Sequence, residues 1–178
     1  MFDAGGAVCD KISAKEMEVF RMANVGREMA LLTAGTPEKF NSLTIMYGAA
    51  GMVWGKDAYF AFVKPERYTW QFVNDSDYFT VAYFPKALNK IHKVFGSKSG
   101  RDTDKPKEAG VTPEILEHGV AYKEASEIYV CRKIYMKQID RNSLAPEIVA
   151  MYDDPKNGIH GETHCLVIGE IVQHIVRD

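Results

Sequence analysis

The chain has 178 residues, 46% of them hydrophobic and 11% aromatic, with a formal net charge of -2. That composition supports a substantial core and excludes disorder as the default state. No half is strongly basic, which removes the electrostatic footprint of non-specific nucleic-acid binding, and no apolar run approaches the ~18 residues of a membrane-spanning helix.

The first ten residues, MFDAGGAVCD, lack a basic start and a long apolar stretch, so no secretory signal is expected. Arg27 to Gly35 reads as a strand ended by glycine, Thr36 to Asn41 as a turn, and Ser42 to Tyr47 as a second strand, together a hairpin. Gly48-Ala49-Ala50-Gly51 then breaks the pattern. Asp57 to Lys64 is a strand with both faces apolar. Pro65 opens a helix through Val73, because its missing N–H costs nothing at a helix start.

Tyr78 to Phe84 is another strand, ended by Pro85. Lys86 to Phe95 places Leu88, Ile91 and Phe95 on one helical face, with Gly96 as the stop. Arg101 to Gly110 is a charged surface loop or short helix. Ala125 to Gln138 is a long strand with Ile128, Val130, Ile134 and Met136 on one face. Leu144 to Tyr152 is a short helix or loop, Asp153 to Gly158 a turn cluster, and His164 to Val176 the last strand. The pattern predicts a mainly β chain, a compact barrel with helical decorations. A βαβ unit over Asp57 to Phe84 is the alternative, although no GxGxxG follows its strand.

Three segments carry chemistry. In the first, Asn41 to Gly48, alternation sets Ser42, Thr44 and Met46 on one face and Leu43, Ile45 and Tyr47 on the other. Its hydroxyls and backbone groups suit a flat heterocycle, though a strand with a solvated polar face reads the same way. In the second, Arg67 and Thr69 with Lys64 nearby form a candidate anion site at a helix start. The third, Gly96 to Asp102 with Lys105, resembles an anion nest and is not a P-loop. The alternatives are a surface arginine beside a turn and a flexible polar loop. His160 and His164 stand four apart, but Gly158 and Gly161 argue against a helix, so no metal is expected. Cys9, Cys131 and Cys165 are distant and odd in number, the usage of a reducing, cytoplasmic compartment.

Taken in order, N-x-x-T-x-x-Y-G, K-P-x-R-Y-T, G-x-x-S-G-R-D-x-D-K and H-x-x-x-x-G-E-I resemble the flavin reductase-like family, in particular its flavoredoxin-like group. The resemblance runs from about Met29 to Val172, and G-x-x-S-G-R-D-x-D-K is its most specific part. It implies one domain over the whole chain (core about 27–176), folded as a six-stranded FMN-binding split β-barrel of Greek-key type and paired as a homodimer with FMN at the interface. Asn41, Ser42, Thr44 and Tyr47 would then face the ring and ribityl groups. Lys64, Arg67 and Thr69 would hold the phosphate, and Ser97, Ser99, Gly100, Arg101 and Lys105 would complete the phosphate and ribityl site. His164 and Gly169 would lie by the nicotinamide side. The implied activity is NAD(P)H-dependent reduction of FMN, with a flavin or a protein as electron acceptor. The chain departs from the family at Met46, Tyr47 and Glu162-Thr163, which leaves open an FMN-binding electron carrier without NAD(P)H turnover. A plain β-barrel that binds another phosphate ligand, or none, is the third reading.

Overall fold

A computed structural model describes residues 28–177. Among the described residues nine strands are present: β1 (Ala30–Gly35), β2 (Phe40–Ile45), β3 (Gly48–Val53), β4 (Lys56–Val63), β5 (Tyr78–Tyr83), β6 (Pro113–Leu116), β7 (Gly119–Tyr122), β8 (Glu127–Gln138) and β9 (Cys165–Val176). Four helices join them: α1 (Thr69–Asp75), α2 (Ile91–Ser97), α3 (Lys105–Ala109) and α4 (Pro146–Asp153). Seven strands form one sheet in the order β2-β1-β5-β8-β9-β4-β3, and β6-β7 is a separate hairpin. Every pair is antiparallel, so the βαβ alternative is wrong: β4 and β5 are separated by β8 and β9 instead of pairing around α1.

The curled sheet has two apolar faces. Its inner face gathers Leu32 of β1, Leu43 of β2, Tyr59 of β4, Phe79 of β5, Cys131 of β8 and Val167 of β9 into one cluster, closed at one end by Phe72 and Val73 of α1. Its outer face, with Leu31, Ala82, Ile128 and Val130, is covered by α2 through Ile91 and Phe95 and by the hairpin through Ala121 and Tyr122. Each such side chain withdrawn from water stabilises the fold by about 1.5–3 kcal/mol. Inside the barrel the Tyr59 and Tyr83 hydroxyls bond at 2.7 Å, and burial pushes the Tyr83 phenol up to about 12. Cys131 and Cys165 are buried and free, one in β8 and one in β9.

Several boundaries differ from the sequence reading. Arg27 and Cys9 lie outside the described residues. Gly48 to Gly51 does not interrupt the sheet but begins β3, because a small residue is needed where a Cβ at Gly48 would stand 2.8 Å from the Tyr59 hydroxyl. The helix expected from Pro65 starts at Thr69: the Arg67 N–H donates to the Lys64 carbonyl at 3.1 Å and spends Pro65 to Tyr68 in a turn. Lys86 to Phe95 is not one helix but a 3-10 turn at Lys86–Leu88 followed by α2, which runs through Gly96 to Ser97. Ile134 is an extra residue in β8, between Lys133 opposite Gly169 and Tyr135 opposite Ile168. The bulge reverses the inward face, so Met136 packs with the inner cluster while Ile128 and Val130 face outward. The β6-β7 hairpin had no counterpart in the sequence reading.

Candidate functional site

Three connections converge at one end of the barrel: the turn between β4 and α1, the loop from α2 to α3, and the second half of β2. Between them lies a cavity of about 190 Å³. Thr44, Arg67, Thr69, Ser99, Arg101 and Lys105 line it, with Ser97 at the end of α2. Arg67, Thr69, Ser97, Ser99, Arg101 and Lys105 of the candidate phosphate site thus meet in space, together with Thr44 from the candidate ring side, while Lys64 and Gly100 do not line this cavity.

The cavity is built for negative charge. Lys105 is only 4% exposed, and its ammonium donates to the Ser42 carbonyl at 2.8 Å and, at 3.4 Å, to the Phe95 carbonyl. Burial first, and then the Arg67 guanidinium, bring its pKa down to about 8. Arg101 stacks its guanidinium over the Tyr68 ring at 4.6 Å. Among the described residues no carboxylate forms an ion pair with Arg67, Arg101 or Lys105, whereas neighbouring Lys98 pairs with Glu108. Glu66 also borders the cavity, but its carboxylate accepts the Glu162 N–H at 2.9 Å and lies 3.6 Å from Lys64.

The hydroxyls are not equally available. Thr69 Oγ1 is buried and accepts from Asn41 Nδ2 at 2.8 Å, which leaves its own proton to donate. Ser99 Oγ accepts the Arg101 N–H at 3.2 Å and keeps its proton as well. Ser97 Oγ donates back to the Lys93 carbonyl at 2.6 Å, and Thr44 Oγ1 to the His92 carbonyl at 3.0 Å. The Ser42 hydroxyl sits in a buried chain, 2.7 Å from both Thr33 Oγ1 and the Tyr122 hydroxyl, so its contribution is the carbonyl that fixes Lys105. Asn41, Ser42 and Gly100 border a second cavity of about 190 Å³ that shares Lys105. Gly100 passes so close to Asn41 that a Cβ there would lie 2.1 Å from Oδ1.

Tyr47, Lys64 and His164 form a neighbouring group and do not line the first cavity. The Tyr47 and His164 rings meet edge-on with centroids 5.8 Å apart. His164 Nδ1 is 2.8 Å from the Tyr152 hydroxyl, and the Lys64 ammonium lies 5.7 Å from the Tyr152 ring centre while donating to the His160 carbonyl at 2.6 Å. Burial, with Lys64 and Arg67 next, pulls the His164 pKa down to about 4. Arg67 therefore acts on both groups and links them. Gly169 belongs to neither: a Cβ there would stand 2.6 Å from both Cys131 Cβ and Phe79 Cε1, so its smallness serves the barrel interior. Tyr68 and Tyr152 are the site residues that the sequence reading did not single out. Tyr68 stood inside a quoted motif, whereas Tyr152 carries no local signal. Among the described residues no three His, Cys, Asp or Glu side chains gather into a metal-holding group.

The family model for the flavin reductase like domain matches residues 22–178. The chain belongs to the flavin reductase-like family. Solved structures agree on the fold. The flavoredoxin of Methanosarcina acetivorans is 17% identical, with a TM-score of 0.64 over 84% of this chain and 68% of that one. The flavoredoxin of Desulfovibrio vulgaris (Miyazaki F) is 18% identical, with a TM-score of 0.64 over 84% and 69%. An FMN-binding protein of Thermus thermophilus, solved with bound 1-cyclohex-2-enone, is 16% identical, with a TM-score of 0.64 over 83% and 69%. No curated protein matches the sequence. The mainly β split barrel with short helices is thus the fold of this family member. Its main sheet has seven strands, where the sequence resemblance implied six.

Proposed function

We propose that this family member binds FMN and takes a hydride from NADH or NADPH, passing the electrons to a free flavin or another acceptor. The observation that carries this reading is that Arg67, Arg101 and Lys105 meet in one cavity with no ion-pair partner among the described residues, Glu66 and Lys98 at its border being engaged with Lys64 and Glu108, and such unpaired cations suit a dianionic group such as the flavin phosphate. Bound FMN supplies the redox chemistry, and the protein supplies position and electrostatics. Arg67, Thr69, Ser99 and Lys105 hold the phosphate, and Arg101 is kept at its edge by Tyr68. Asn41 and Gly100 shape the adjoining ribityl side, while Thr44, Tyr47 and His164 border the ring. Two copies pair through the exposed apolar side at Met46, Tyr47, Met52 and Trp54.

A second reading is an electron carrier reduced by a partner enzyme. Met46 favours it: this flexible thioether is 60% exposed next to Tyr47, where it would restrict the approach of a nicotinamide. Steady-state oxidation of NADH and NADPH by the FMN-loaded protein, with several acceptors, decides between the two. Turnover well above the free-flavin background supports the reductase. No turnover with either nucleotide, together with rapid reduction by a separate reductase, supports the carrier.

A further inference from the structure

Helix α4 and the loop behind it line neither of the two cavities, yet they are fastened to the site at several points. Tyr152 is the one buried residue of α4. Its carbonyl accepts the Gly161 N–H at 2.9 Å, the His160 carbonyl accepts from Lys64 at 2.6 Å, and the Glu162 N–H donates to Glu66 at 2.9 Å. The chain from 152 to 164 is therefore closed around the phenol, which meets His164 Nδ1 at 2.8 Å between two buried rings.

Two proton arrangements satisfy that contact. In one, the phenol donates to Nδ1 and the imidazole carries its hydrogen on Nε2. In the other, Nδ1–H donates to the phenol oxygen. The second strands the phenol hydrogen, because among the described residues the Tyr152 oxygen bonds nothing except His164. A buried donor without an acceptor is costly, and an imidazole nitrogen accepts well from a phenol. A doubly protonated ring fails for a separate reason: burial opposes its charge, and Lys64 and Arg67 add to that and outweigh Glu66.

We propose that Tyr152 is a positioning residue that fixes His164 as the neutral Nε2–H tautomer, so that the ring offers an uncharged N–H donor beside Tyr47 to a carbonyl or carboxamide oxygen of the reacting ligand. This rests on the reading above, in which the Tyr47–His164 group borders the flavin ring. The consequence is selectivity. A neutral donor suits a neutral oxygen such as the amide of a nicotinamide, while the charged donors that suit a phosphate lie in the other cavity.

NMR of isotope-labelled histidine in the FMN-loaded full chain at neutral pH tests the assignment, with the His164 signal identified through His164→Gln. The wild-type protein should show the Nε2–H tautomer, and Tyr152→Phe should show a mixture. The same variant should raise KM for NADH ~2-fold, in proportion to the Nε2–H population lost, with FMN affinity and kcat unchanged. An Nδ1–H tautomer in the wild type, or an unaltered ring signal in Tyr152→Phe, overturns the proposal. A shifted tautomer with unchanged KM leaves the Tyr152 role standing and removes the nicotinamide reading instead. If Tyr152→Phe does not fold, the wild-type spectrum decides alone.

Discussion

Lys105 shows how burial turns a common surface residue into a titrating part of a cationic cavity. Its pKa of about 8 lies below the ordinary lysine value because desolvation, and then Arg67, oppose the charge. In the ligand-free protein it loses its proton as pH rises through about 8, so phosphate binding above that pH must take a proton up. FMN affinity is expected to fall by up to ~10-fold per pH unit above about pH 8, and Lys105→Met should weaken binding and flatten that dependence. Equilibrium titrations between neutral and alkaline pH read both effects. His164 bears on stability instead. Its pKa is about 4 in the folded chain against 6.5 in an unfolded one, so the unfolded chain binds more protons between those values. The stability this neutral histidine contributes is present above pH 6.5 and is lost as pH falls toward 4, an effect on the order of 2–3 kcal/mol. Denaturant melts of wild type and His164→Gln should converge across that window as pH falls. Parallel curves would show that His164 is not held neutral by the fold.

At the scale of elements, the site is made by ends and turns, and the sequence revealed those unevenly. The segments around Arg67 and Ser99 were legible because charged and hydroxyl residues cluster in short stretches. Their convergence was not, because it depends on β1-β2 pairing and on α2 lying across the outer face. The strands of β4, β5 and β9 were visible as apolar runs. The bulge at Ile134 was hidden, since one extra residue leaves hydrophobic content unchanged while reversing which side chains face inward. Glycines misled in both directions. Gly48 read as a break and is the start of β3, and Gly169 read as a ligand-side residue and is a packing requirement. Gly169→Ala should therefore destabilise the barrel by about 1–3 kcal/mol through contact with Cys131 and Phe79. Its FMN affinity per folded molecule should remain unchanged. Calorimetry combined with FMN titration separates the two effects, and an affinity loss without destabilisation would restore Gly169 to the ligand site.

For the whole molecule, the family match and the antiparallel split barrel agree, and the cavity lies where three connections meet at one end of it. The inner and outer apolar clusters hold the barrel, and Leu43 of the one and Phe95 of the other also line the cavity. Its excess charge is relieved by ligand: FMN at 100 times its dissociation constant should stabilise the fold by roughly 2.7 kcal/mol, seen as a rise in Tm. Helix lengths bear on location only in one respect: no described helix is long and apolar enough to cross a membrane. In the proposed function the cavity of Arg67, Arg101 and Lys105 holds the phosphate of FMN. The most direct test compares Arg67→Ala with wild type for FMN and for riboflavin, which has the same ring and no phosphate. The expected result is a loss of ~100-fold for FMN and little change for riboflavin, the signature of a charged contact removed from the phosphate alone. Equal losses for both ligands would contradict it.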